Sequence, residues 1–176
     1  MTLLLKGGRM IDPSRKVDRT GYLLIENGKI VQSGKELPRT GKTTLGESAP
    51  GMEVLDLRGK IVVPGLIDMH THLREPGFEY RETIASGSEA AVAGGFTSVA
   101  CMPNTDPVND NRSVTEFIRR KAAECGLANV YPIAAISLKS EGVFLSEFWD
   151  LKDAGAVGFS DDGKSVMNAS LMRRAL

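Results

Sequence analysis

Short apolar segments alternate with helix-like segments from residue 65 to the end of the sequence. The segments "LIDMHTH", "FTSVACM", "NVYPIAAIS" and "AVGFS" are apolar and bounded by turn residues, which predicts strands. Between them lie "ETIASGSEAAVAGG", "SVTEFIRRKAAECG" and "LSEFWDLKDAG", which predict helices, the second with Gly126 as its C-cap. Because strands that alternate with helices pair in parallel through crossover connections, the sequence predicts an α/β fold.

The last segment, "NASLMRRAL", begins like a helix with Asn168 or Ser170 as its N-cap and stops at Leu176 before any C-cap. Four strand–helix units are too few to close an eight-stranded α/β barrel, which takes about 250 residues. We therefore expect the first half of a (β/α)8 TIM barrel, belonging to a longer protein. An open sheet of four units is the alternative, although such a sheet should finish with a capped element.

The sequence before residue 64 has a different pattern, with short apolar runs and turn residues but no helical period. Asn27-Gly28 between "YLLIE" and "KIVQSG" predicts a tight hairpin, and "EVLDLRGKIVVPG" predicts further strand structure. Residues 35–52 are rich in Gly, Pro, Thr and Ser, which predicts an exposed connection. The chain is thus expected to contain a small β domain over residues 1–63 and the α/β domain over residues 64–176.

Both histidines of the chain, His70 and His72, lie in the stretch "GLIDMHTHLREPG" at the end of the first predicted barrel strand. Side chains alternate faces along a strand, so we expect Asp68, His70 and His72 to share the face that points into the barrel. Catalytic groups of such barrels lie at the carboxyl ends of the strands, where two imidazoles can bind one metal ion. Two histidines that merely satisfy hydrogen bonds are the alternative.

A carboxylate at another strand end would complete such a site, and "AVGFSDDGKS" provides two. Val157 and Phe159 suit the apolar layer between strands and helices, which puts Asp162 in phase with the opposite, inward side. Asp162 is therefore the candidate ligand. Asp161 is expected to be a loop residue or to support the ligands indirectly, and "DDG" as a simple turn remains an alternative for it.

The second predicted barrel strand ends in "MPNTDP", where counting faces places Asn104 on the inward side, beside Arg74 of "HLREPG". An arginine and an asparagine at a metal site can receive a substrate carboxylate, because the guanidinium group offers paired donors. Either residue could instead tie loops together. We expect that simpler role for Glu75 and Arg81.

The motifs "PGLIDMHTHLREPG", "CMPNTDP" and "FSDDG" together resemble the amidohydrolase superfamily, and most closely the dihydroorotases of the bacterial type I class. The resemblance covers the whole chain, and its first part is similar to the β-sandwich segment that precedes the barrel in that family. It implies zinc, as one or two ions, bound by His70, His72 and Asp162. It also implies that His72, Arg74, Asn104 and the backbone near Leu73 contact the substrate.

The activity implied by this resemblance is the reversible cyclisation of N-carbamoyl-L-aspartate to (S)-dihydroorotate in pyrimidine biosynthesis. The family's other ligands and its general acid/base would lie beyond Leu176, so the isolated chain is expected to be inactive. A hydantoinase or allantoinase is one alternative, but these enzymes usually carry a carboxylated lysine and Lys164 lies past the strand end. Another is a noncatalytic partner of aspartate transcarbamoylase, against which the retained His70, His72 and Asp162 argue.

Charge and composition bear on possible partners, on location and on the state of the cysteines. The 22 basic and 22 acidic residues balance, so nothing indicates a nucleic-acid surface. In the opening "MTLLLKGGRM", the apolar run is too short for a signal peptide or a membrane span, and the charged Lys6 follows it directly. This predicts a cytoplasmic protein. Cys101 and Cys125 form no CxxC pair and are expected to be buried free thiols. For the full-length protein we expect a homo-oligomer.

Overall fold

The computed structural model describes residues 1–40, 43–45 and 51–176, which form two compact units. The first unit is Met1–Pro64 and the second is Gly65–Leu176. Each unit has its own apolar cluster.

The first unit is built from strands. They are β1 (Thr2–Asp12), β2 (Val17–Glu26), β3 (Lys29–Gly34), β4 (Arg39–Thr40), β5 (Thr43–Thr44), β6 (Met52–Asp56) and β7 (Ile61–Val62). The main sheet has the order β3-β2-β1-β6, with β7 also paired to β1. Strand β1 is antiparallel to β2 and parallel to β6 and β7. The core of this unit is formed by Leu4, Met10, Tyr22 and Leu24.

The predicted hairpin at Asn27-Gly28 is confirmed. Strands β2 and β3 are antiparallel, and the two turn residues have φ angles of 50° and 76°. Positive φ at both central positions is what a tight hairpin turn requires, and Asn followed by Gly adopts it with little strain. The predicted connection over residues 35–52 lies partly outside the described residues, and its described part includes the short pair β4–β5.

The second unit alternates strands and helices in the predicted order. Its elements are β8 (Leu66–Thr71), α1 (Ile84–Ala93), β9 (Phe96–Cys101), α2 (Arg112–Cys125), β10 (Asn129–Ala134), α3 (Phe148–Ala154), β11 (Gly158–Phe159) and α4 (Ala169–Ala175). The sheet order is β11-β10-β9-β8, and every pair is parallel. Because neighbours in the sheet are also neighbours in the chain, the strands wind in one direction, as in a barrel.

Apolar side chains between the sheet and the helices form the core of this unit. The main cluster contains Leu73, Ile84, Val99, Cys101, Val114, Ile118, Ala122 and Val130. Cys101 is a buried free thiol, as predicted, and burial raises its pKa to about 12, so it stays protonated and unreactive. Cys125 is also free but only half-buried.

The helix ends follow local sequence signals. Thr83 and Ser86 form a capping box at the start of α1, and the Asn111 side chain caps α2. Gly126 ends α2 in the left-handed conformation with φ 63°, which confirms the predicted C-cap. Of the two candidates for the N-cap of α4, the structure has Asn168, whose side chain accepts from the Leu171 N–H.

Asn109 links the loop after β9 to β10 and is fully buried. Its Nδ2 donates to the Ile133 carbonyl at 2.9 Å, and its Oδ1 accepts from the Thr115 hydroxyl at 2.7 Å. Asn109→Ala leaves the buried Thr115 hydroxyl and the half-buried Ile133 carbonyl without these bonds, so we expect it to lower the free energy of unfolding by about 3 kcal/mol. Asn111→Ala, which removes a helix cap and an exposed bond to Asp110, should cost about 1 kcal/mol. Urea unfolding of the two variants tests this, and equal losses would contradict it.

Candidate metal and substrate site

Strand β8 carries a bulge between Asp68 and Thr71, in the segment that contains His70. Asp68 pairs with Val99 and Thr71 pairs with Cys101, so three steps along β8 match two along β9. Val99 and Cys101 point towards the helices, which places Asp68 on that side as well. The prediction that Asp68 shares a face with the histidines is therefore wrong, because the bulge shifts the alternation between Asp68 and His70.

The Asp68 carboxylate has a local role at this bulge. It lines a cavity with Ala90 and Ala91 of α1 and with Phe96, and its Oδ1 accepts from the His70 N–H at 3.0 Å. A backbone N–H that the irregular ladder leaves without a strand partner is thereby satisfied.

His70, His72 and Asp162 lie together at the carboxyl ends of β8 and β11. His70 Nε2 is 3.2 Å from Asp162 Oδ1, and His72 Nε2 is 3.8 Å from Asp162 Oδ2. The two imidazole rings lie edge to face with their centroids 5.2 Å apart. One nitrogen from each histidine and one carboxylate oxygen all lie within 4.8 Å of one another. The sequence prediction named these three residues, and the structure brings them together from two strand ends.

The cluster is open on one side. The His70 side chain is 57% exposed, whereas those of His72 and Asp162 are 32% and 18% exposed. Imidazole nitrogens and carboxylate oxygens at this spacing can hold a cation such as zinc, and the exposed side leaves room for further ligands.

The strand phase that predicts Asp162 as a ligand holds only in part. Phe159 stacks on Phe148 of α3 with ring centroids 4.1 Å apart, so it lies in the apolar layer as predicted. Val157 does not, since it is 56% exposed. Strand β11 contains only Gly158–Phe159, and Val157 precedes it, so strand alternation does not determine where the Val157 side chain points.

Asp161 is buried and bonded away from the histidine cluster. Its carboxylate accepts from the Ser137 N–H at 3.1 Å and from the Ser137 hydroxyl. The same hydroxyl accepts from the Gly142 N–H at 2.8 Å. Asp161 therefore ties the end of β11 to the loop after β10, and it supports its neighbour Asp162 through the backbone.

Asn104 enters the cluster from the end of β9. Its Oδ1 is 3.1 Å from His72 Nδ1, and its Nδ2 donates to Asp162 Oδ2 at 3.1 Å. It thus bridges residues from two other strand ends.

Arg74 and Leu73 follow the histidines directly. Arg74 has φ 62°, in the left-handed region that non-glycine residues rarely adopt. Within the described residues its guanidinium group has no ion pair or hydrogen bond, which leaves its donors available. Leu73 places its side chain in the apolar cluster, so only its backbone is left for the predicted substrate contact.

The loop that carries Arg74 is fixed by its charged neighbours, as predicted. Glu75 is buried, accepts from the Ile84 N–H at 2.9 Å and lies 3.5 Å from Lys121 Nζ. Arg81 donates to the Tyr80 hydroxyl at 3.1 Å, and its guanidinium lies over that ring. The contacts of Glu75 connect the loop to both α1 and α2, and that of Arg81 lies within the loop.

A family model described as dihydro-orotase-like matches residues 59–176. The chain belongs to this family. A dihydroorotase from Syntrophus aciditrophicus (strain SB) is 60% identical over 176 residues, and one from Geobacter sulfurreducens is 55% identical over 177 residues. Each alignment covers all of this chain and 39% of the relative, so the chain spans well under half the length of these dihydroorotases.

Among solved structures, an L-hydantoinase (dihydropyrimidinase) from Arthrobacter aurescens is similar, with a TM-score of 0.71 and 22% identity. The match covers 89% of this chain and 32% of that one. Together with the parallel sheet in chain order, this likeness confirms the predicted fold class, the first half of a TIM barrel preceded by a β-rich segment. The predicted resemblance to dihydroorotases is also confirmed. No helix within the described residues is long and apolar enough to cross a membrane.

Proposed function

We propose that the full-length protein containing this chain is a dihydroorotase that interconverts N-carbamoyl-L-aspartate and (S)-dihydroorotate in pyrimidine biosynthesis. The observation that carries this proposal is the identity of 60% to a dihydroorotase over the whole chain. The cluster of His70, His72 and Asp162 supports it further, because a noncatalytic relative would have no need for three converging ligand atoms.

Zinc, as one or two ions, is the proposed cofactor. Two imidazole nitrogens and a carboxylate oxygen within 4.8 Å fit the ligand types and the spacing that zinc prefers. His70, His72 and Asp162 would hold it. When bound, it supplies polarisation of the amide carbonyl and a water of lowered pKa.

The substrate carboxylate is proposed to bind at Arg74 and Asn104, with His72 and the backbone of Leu73 close by. The guanidinium group of Arg74, which has no bonded partner in the part of the chain that the structure describes, supports this assignment, because its paired donors match the two oxygens of a carboxylate. Binding there would orient the ring or the open chain for attack at the amide. The group that moves the proton is proposed to lie outside residues 1–176.

The domain assignment is proposed on the same basis. Residues 1–63 would be the N-terminal part of a β-sandwich domain, and residues 64–176 the first four βα units of the barrel. For the complete enzyme we propose a cytoplasmic homo-oligomer, with association to aspartate transcarbamoylase as a further proposal that co-purification would test.

Turnover by the full-length protein tests the function. We expect it to hydrolyse dihydroorotate and to cyclise N-carbamoyl-L-aspartate, with hydantoin and allantoin at least about a hundredfold poorer in kcat/KM, since neither carries the carboxylate that Arg74 would bind. Residues 1–176 alone should be inactive, because β8 and β11 are the edges of the described sheet and the proton-transfer group is missing. Preferred turnover of hydantoin or allantoin would favour the alternative cyclic amidases, and no turnover of any of these would favour the noncatalytic partner.

A further inference from the structure

Asn104 lies between two of the proposed metal ligands and touches both. Its Oδ1 is 3.1 Å from His72 Nδ1, and its Nδ2 is 3.1 Å from Asp162 Oδ2. All three side chains are half-buried, so these bonds are partly shielded from water.

The chemistry of the three groups fixes the direction of both bonds. An ionised carboxylate can only accept, so the atom of Asn104 that faces Asp162 must be the amide nitrogen. The amide oxygen then faces His72, and since that oxygen can only accept, His72 Nδ1 must carry the proton. A neutral imidazole has one N–H, so Nε2 of His72 is left with its lone pair.

We propose that Asn104 is a positioning residue of the metal site, an inference that rests on the proposed function insofar as the cluster binds zinc. It holds His72 in the tautomer that presents Nε2, the ring atom that faces Asp162 at 3.8 Å. Through its Nδ2 it also orients the Asp162 carboxylate towards the same point. Partners that fix a ligating histidine in this way affect metal affinity as well as activity.

Asn104 can act as a positioning residue because hydrogen bonds of the neighbouring residues hold its backbone in place. The Met102 N–H donates to the Thr71 carbonyl at 2.8 Å, which joins the ends of β8 and β9. The Thr105 hydroxyl donates to the Pro107 carbonyl at 2.8 Å, and both Pro103 and Thr105 are buried. The backbone position from which the Asn104 amide extends is therefore fixed, so the amide can orient its two partners.

This role differs measurably from a contact with the substrate alone. One amide oxygen and one N–H are already bonded to His72 and Asp162, which leaves a single N–H for a carboxylate. If Asn104 only bound substrate, its loss would raise KM and leave zinc affinity unchanged.

The first measurement is the tautomer of the neutral His72 imidazole in the metal-free full-length protein. Nitrogen-15 NMR should show Nδ1–H in the wild type, with the signal assigned from a His72→Gln variant. Asn104→Asp keeps the acceptor that faces His72 and should retain Nδ1–H, while it removes the donor to Asp162. Asn104→Ala should shift the population towards Nε2–H. An Nε2–H tautomer in the wild type would overturn the proposal even if the alanine variant did not fold.

The second measurement is zinc affinity, by competition with a chelator, in the full-length protein. Asn104→Ala should weaken zinc binding by about 10- to 100-fold. Arg74→Lys is the matched control, because it alters the proposed carboxylate contact without touching the histidines and should leave zinc affinity as it is. Equal zinc affinity in both variants would overturn the proposal. Neither readout depends on turnover, so a protein that fails to hydrolyse dihydroorotate but shows these effects would refute the proposed function alone.

Discussion

His70→Ala combined with His72→Ala should strip zinc from the full-length protein. The two nitrogens that would be lost are two of the three ligand atoms that this chain brings within 4.8 Å. We expect the zinc content to fall by at least about tenfold and kcat/KM by about a thousandfold or more, because metal polarisation is worth several kcal/mol. Elemental analysis of the purified protein and the dihydroorotate assay measure the two effects.

The adjacent aspartates provide the matched control for this experiment. Asp162→Asn should reduce zinc content, since the carboxylate lies 3.2 Å from His70 Nε2. Asp161→Asn should retain zinc, because Asp161 bonds Ser137 and not the histidines; the amide oxygen can still accept from the Ser137 N–H, and the amide nitrogen can donate to the Ser137 hydroxyl. Normal zinc in the double histidine variant would show that the metal is bound elsewhere. Loss of zinc in Asp161→Asn but not in Asp162→Asn would mean that the wrong carboxylate has been assigned.

The parts of the fold that sequence predicted well are those that depend on neighbouring residues. The turn at Asn27-Gly28 and the cap at Gly126 need positive φ angles, which these residue types accept at little cost. The alternation of strands and helices follows from local apolar patterns and from the rule that parallel strands need crossover connections.

The grouping of His70, His72 and Asp162 could also be predicted, because the carboxyl ends of parallel strands meet at one edge of a sheet. The face of the strand on which each side chain lies could not be predicted. The bulge after Asp68 depends on how β8 pairs with β9, and nothing in "LIDMHTH" marks its position.

Contacts between residues far apart in the chain could likewise not be predicted from the sequence. The bond from Asn104 to Asp162 spans 58 positions, and that from Ser137 to Asp161 spans 24. The sequence predicts Asn104 at the correct strand end but indicates only a substrate contact for it. Its bridging role follows from the particular distances that the folded sheet sets between three strand ends.

Arg74→Lys should raise KM for dihydroorotate by about 10- to 100-fold while zinc content stays normal. Lysine keeps the positive charge but replaces the planar pair of donors by a single ammonium group, and a hydrogen bond to a charged group contributes about 1.5–3 kcal/mol. Neither arginine nor lysine is glycine, so the left-handed backbone at φ 62° costs both residues the same. The substitution therefore leaves the backbone strain unchanged. Loss of binding can therefore be attributed to the guanidinium group.

Arg81→Lys, on the same loop, is the comparison for this prediction. The Arg81 guanidinium is engaged with Tyr80 and lies over the Phe78 ring, so its replacement should leave KM within about twofold of the wild type. Steady-state kinetics on both variants, with zinc measured in the same samples, separates a substrate contact from a loop effect. A normal KM for Arg74→Lys would move the carboxylate site away from Arg74. A raised KM for both arginine variants would instead indicate that the loop as a whole, held by Glu75 against α1 and α2, sets substrate affinity.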